Sequence, residues 1–100
     1  EWWNKQKIFV IIIRMKELEK SLKALANKRR LAILKYLKSK KESSVGKIAE
    51  EIKLSFRATS KHLGILSAAD IVEKEQQSLY VVYSISPALK PEAKHIISLL

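Results

Sequence analysis

Residues 45–66 read VGKIAEEIKLSFRATSKHLGIL. Val45, Ile48, Ala49 and Ile52 recur at helical spacing, which predicts a short helix with those four inward. Ser44 stands where an N-cap would, because a serine hydroxyl accepts from free N–H groups of a first turn. Lys53-Leu54-Ser55 then forms a turn. Ser55 caps a second helix, Phe56 to about Ala69, with Thr59, Leu63 and Leu66 inward and Ala58 and His62 flanking. Arg57, Ser60 and Lys61 fall on its outer side, and no acidic residue stands between Leu54 and Ala69. Two short helices joined by a tight turn, the second with a cationic outer face, have the layout of a helix-turn-helix reading head.

The rest of the chain agrees with that reading. Its 100 residues are a single-domain length and bury a modest core. Twenty Lys and Arg oppose ten Asp and Glu, a formal net charge of +10. Such an excess favours polyanions, nucleic acid first and acidic membrane surfaces second. There is no cysteine, which excludes disulfides, thiolate metal sites and cysteine nucleophiles. The longest apolar run, IFVIII from Ile8 to Ile13, is far short of the ~20 residues of a membrane span. A cytoplasmic location is the expectation.

Outward from the reading head, Leu18, Leu22, Leu25 and Ala26 form one stripe on a helix over Lys16–Ala26. Asn27 caps a second helix, Lys28 to about Lys38, that buries Leu31, Ile33, Leu34 and Leu37. Lys38 to Ser44 is a polar connection. After the reading head, Ile71–Glu75 and Leu79–Ile85 are strand-like, with Gln76-Gln77-Ser78 as the hairpin turn. Pro91 opens a last helix, Glu92–Leu100. The expected fold is mainly α with a small β-hairpin, a winged helix-turn-helix of order ααααββα. Residues 1–14 (EWWNKQKIFVIIIR) lack helical periodicity. They read either as an extension or expression remnant ahead of a natural start at Met15, or as a strand or helix that packs on a partner. Residues 15–100 are expected to form the DNA-binding domain, with dimerisation helices at both ends.

Three segments resemble the ArsR/SmtB family of small winged-helix repressors, over about residues 22–87. LKALANKRRLAILKYL resembles the family's entry, with Arg30-Leu31 keeping its Arg-Leu pair. IAEEIKLSFRATSKHLGIL resembles its reading-head pattern through Ser55, Ser60, His62, Leu63 and Leu66, while Ala58 replaces a usual Thr. IVEKEQQSLYVVYSIS resembles its wing, with Ser78 at the usual Gly position and Leu79 where a cation often sits. The resemblance implies a metal-sensing thiolate pair at Ser44 and Gly46, and neither residue supplies one. It implies a second site on the last helix, where Glu92 and His95 offer two hard ligands and a stable site needs three or four. No metal or other cofactor is expected.

The expected groove-facing set is Phe56, Arg57, Ser60 and Lys61. Arg57 is the best base reader, because its planar fork matches guanine O6 and N7. Lys61 suits phosphate neutralisation. Phe56 either touches a thymine methyl or folds back as a core staple, the second being favoured. Ser55 leaves backbone N–H groups facing a phosphate. His62 either donates to a phosphate or is satisfied within the fold. Gln76 and Gln77 represent the wing. Leu18, Leu22, Leu25, Ile96, Ile97 and Leu100 are expected to form a dimer surface.

The function these readings imply is a homodimeric, sequence-specific regulator of transcription, foremost a repressor, that binds double-stranded DNA. A winged-helix protein–protein module and a non-specific nucleic-acid binder are the alternatives. Enzyme activity is not expected. The one Asp, two separated His and two glycines form no nucleophile–base pair and no phosphate loop.

Overall fold

The computed structural model describes residues 3–100; Glu1 and Trp2, which open the 1–14 segment, lie outside the described residues. The elements are α1 (Lys5–Leu25), α2 (Lys28–Lys40), β1 (Glu42–Ser44), α3 (Val45–Ile52), α4 (Phe56–Ala68), β2 (Val72–Gln77), β3 (Tyr80–Ile85) and α5 (Pro91–Ser98). The sheet is antiparallel, in the order β1-β3-β2. The core joins Ile33, Leu34 and Leu37 of α2 to Ile48 of α3, Leu63 and Leu66 of α4, and Ile71, Val72 and Tyr83 around the sheet. Ala93 and Ile97 of α5 and Ala24 and Leu25 of α1 close it.

Local chemistry sets the helix ends. The Asn27 side chain accepts from Arg29 N (2.9 Å) and Arg30 N (3.1 Å), which starts α2. Ser44 accepts from Lys47 N (3.3 Å) at α3, and Ser55 from Ala58 N (3.1 Å) at α4. Each satisfies a donor that an open helix end leaves free. Pro91 occupies the first turn of α5, where its missing N–H costs nothing. Lys38 reaches across to donate to Ile97 O (3.2 Å), tying α2 to the C-terminal end of α5.

Three expectations need correction. First, the opening helix starts at Lys5 rather than Lys16 and runs through Met15 without a break, so of the readings open for residues 1–14 the helix holds over 5–14. The Asn4 side chain caps it by accepting from Lys7 N (2.8 Å). β-Branched residues cost a helix only tenths of a kcal/mol each, and continuing the turn pairs every backbone group. Secondly, residues 42–44 are a strand, paired in register with Ser84, Tyr83 and Val82 of β3. The observed order is therefore ααβααββα. Thirdly, Gln76 and Gln77 belong to β2, opposite Val81 and Tyr80, and the hairpin turns at Ser78-Leu79. Ser78 takes the left-handed conformation (φ 57°) that a two-residue hairpin favours.

A candidate nucleic-acid interface

The turn between α3 and α4 is short because Lys53 adopts the left-handed conformation (φ 55°). Leu54 N donates to Ala49 O (3.0 Å), which ends α3 and turns the chain into α4. In the first turn of α4, Thr59 Oγ1 donates to Ser55 O (2.8 Å), so this buried hydroxyl is satisfied. Thr59, Leu63 and Leu66 bury one face of α4. The opposite face is open, and Arg57, Ser60 and Lys61 are all exposed on it. Among the described residues neither cation makes an ion pair, so both charges are available to an anion.

Phe56 does not fold back as a core staple. It is 63% exposed and lines a shallow cleft with Ser44, Val45, Gly46, Leu79, Tyr80 and Val81. An aromatic ring thus stands at the start of α4, beside the wing. The wing tip itself is apolar, with Leu79 90% exposed. Both glutamine amides are engaged locally: Gln76 Nε2 donates to Ser78 O (3.0 Å), and Gln77 Nε2 to Glu42 Oε2 (3.3 Å). Register puts Glu42 and Glu73 on either side of Ser84, on one sheet face, with Glu75 next along it. Those carboxylates repel phosphate.

His62 lies behind the outward face. Its Nδ1 is 3.1 Å from an Arg30 guanidinium nitrogen. Arg30 also donates through Nε to Ala24 O (2.6 Å) and through its other terminal nitrogen to Lys23 O (3.1 Å). One side chain therefore caps the end of α1 and grips α4. A guanidinium only donates, so Nδ1 is the acceptor and the neutral ring carries its proton on Nε2. Burial, then the charges of Arg30, Arg29 and Lys61, lower the His62 pKa from its ordinary 6.5. Sequence reasoning gave Arg30 no role at the site. The two residues are 32 apart in the chain, and no local pattern links them.

The expected dimer surface divides. Leu18 (43% exposed) and Leu22 (46%) remain open, and Ile96 and Leu100 are half-buried. Leu25 (4%) and Ile97 (6%) are not available to a second copy. They complete the core of their own protomer, because α5 packs on α1 and α2 there. Leu99, which the same expectation for the last helix includes, is largely exposed. Neither metal site implied by the resemblance fits these residues. The Ser44 hydroxyl serves as a helix cap and Gly46 has no side chain. Within the one chain Glu92 and His95 are not joined by a third candidate ligand, and no group of three or more occurs among the described residues.

A helix-turn-helix domain family model matches residues 25–75. The transcriptional activator HlyU of Vibrio cholerae is 36% identical over 95 residues, covering 88% of this chain and 84% of that protein. The solved structure of reduced HlyU from the same species superposes with a TM-score of 0.74, at 34% identity and 90% coverage of both chains. NolR from Sinorhizobium fredii gives 0.76 at 29% identity, over 97% of this chain and 89% of that one. A homodimeric winged helix-turn-helix DNA-binding domain from Mycobacterium bovis, described as a possible ArsR-family regulator, gives 0.76 at 25% identity, over 97% and 82%. With reading head, wing and flanking helices all in place, the chain belongs to the winged helix-turn-helix transcriptional regulators of the ArsR/SmtB type.

Proposed function

We propose that this protein is a homodimeric, sequence-specific DNA-binding transcriptional regulator. The observation that carries the reading is the outward face of α4, where Arg57, Ser60 and Lys61 stand exposed with no acid beside them. A helix of this width fits the major groove. Arg57 reads a base edge by a bidentate bond, Ser60 hydrogen-bonds either base type, and Lys61 neutralises a phosphate. Ser55 places the N-terminus of α4 against the backbone. Phe56 supplies apolar contact. His62 contributes through its Nε2–H, and Gln76 and Gln77 act by shaping the wing rather than from its tip. A bound regulator blocks competing access to its site, so repression is the direct physical outcome.

The dimer reading rests on α1. From Trp3 to Lys20 only Ile11 is even partly covered, and the apolar residues Met15, Leu18 and Leu22 lie open. A second copy joined there, with Leu99, Ile96 and Leu100 at the seam's edge, sets two reading heads one duplex turn apart, about 34 Å. The reading is of a binding protein rather than an enzyme, with double-stranded DNA and a second copy of itself as partners. No helix among the described residues is long and apolar enough to cross a membrane. Selection of bound duplexes from a random pool tests all of this together. A pseudo-palindromic consensus with half-sites about 10 base pairs apart is the expected result. Recovery of no sequence above background would overturn it.

A further inference from the structure

The chain has two glycines, and neither serves the backbone. Gly46 and Gly64 both lie inside helices, and neither has a positive φ. The four left-handed positions are held instead by Lys41, Lys53, Asp70 and Ser78. Nor does packing call for glycine at position 64: a Cβ there would meet nothing within 4 Å. Glycine is the poorest helix former apart from proline, so Gly64 weakens α4 without any return inside the molecule.

Its place on the helix points outside the molecule. At 100° per residue, Gly64 points within about 20° of Arg57 and about 160° away from buried Leu66. It is the centre of the face assigned above to the major groove. Helical side chains lean toward the N-terminus, so Lys61 leans away from Gly64 while Ser67 and Ala68, three and four residues on, lean toward its turn. Ala68 is exposed and Ser67 half-buried. The space left by the missing Cβ is open, with nothing within 4 Å of where that carbon would stand; its floor is the glycine Cα and its nearest exposed edge the Ala68 methyl. The apolar feature that a major-groove floor presents is the thymine 5-methyl group.

We propose that Gly64 forms a notch that seats a thymine 5-methyl, allowing α4 to lie closer to the base edges than a Cβ would permit. This rests on the DNA-binding reading above and adds a specificity-determining position to it. The test pairs Gly64→Ala with removal of the methyl from the DNA. On the selected duplex, each thymine is replaced in turn by deoxyuracil, and binding of both proteins is measured.

At one thymine per half-site the wild-type protein should lose about fourfold in affinity, the worth of one buried methyl group. Gly64→Ala should bind the thymine duplex about tenfold more weakly and recover on deoxyuracil at that same position, because the protein methyl and the DNA methyl compete for one space. Its Tm should rise by about 3–6 °C, since alanine favours the helix. Equal binding by Gly64→Ala, the absence of any position with opposite effects on the two proteins, or a fall in Tm would each overturn the notch. Loss of duplex preference in the wild-type protein itself would overturn the DNA-binding reading, and that result is visible before any variant is made.

Discussion

Arg57 and Lys61 are neighbours on one face of α4, yet they should fail differently. On the proposed reading Arg57→Ala removes a planar, bidentate base contact and should cost about 1–3 kcal/mol of binding, with specificity relaxed at one base pair. Lys61→Ala removes a point charge. It should weaken all sequences about equally and lower the salt slope of log K by about 1. Titrations at several salt concentrations on matched and mismatched duplexes separate the two. His62 adds a pH dependence to the fold. Its pKa is lowered in the native state, by burial first and by Arg30 next. Below the ordinary 6.5 the unfolded chain binds a proton that the folded protein resists. This stability contribution is therefore intact above 6.5, is lost as pH falls from there to the native pKa, and changes no further below it. Chemical denaturation across that window should show the decline, and His62→Gln should flatten it.

Among the elements, the end of α4 carries a correctable strain. Asp70 N donates to Ser67 O (3.0 Å) and Ile71 N to Leu66 O (3.0 Å), the bond pair of a helix stop that needs a left-handed residue between them. Asp70 holds that conformation (φ 58°) with a Cβ and a negative charge at the helix's negative end. Asp70→Gly relieves both and should stabilise the protein by about 1 kcal/mol, read as a Tm rise of about 4–8 °C. It lies outside the cationic face and should leave DNA affinity unchanged. The wing is a different kind of element. With Leu79 at its tip and Glu42, Glu73 and Glu75 along one face, it is poorly suited to phosphate.

For the whole molecule, the proposed dimer turns on α1. The molecule extends 55 × 27 × 23 Å, and α1 is the long helix in it, burying only Ser21, Ala24 and Leu25 against its own body. Leu18→Lys with Leu22→Lys places two charges on the open stripe while leaving those core residues alone. The wild type should sediment as a dimer, and the double variant as a monomer at the same concentration. Binding to a two-half-site duplex should fall far more than binding to a single half-site, because the second contact is no longer held at high effective concentration. Retained dimerisation would place the interface elsewhere.

Much of this molecule was written in local patterns. Asn27, Ser44 and Ser55 cap helices where their side chains predict, and the inward sets of α3 and α4, with Ile33, Leu34 and Leu37 of α2, follow from 3.6-residue spacing, whereas Leu31, expected inside, is only half-buried. Capping and amphipathic periodicity act within a few residues, so a single sequence carries them. Strand β1 was invisible because three polar residues become a strand only when β3 supplies their hydrogen bonds. The helical start of α1 was hidden because β-branched residues signal strand while the backbone still gains from continuing the turn. The Arg30–His62 link, the burial of Leu25 and Ile97, and the exposure of Phe56 depend on which elements meet. Those meetings are settled by packing the whole core, over separations that no local pattern spans.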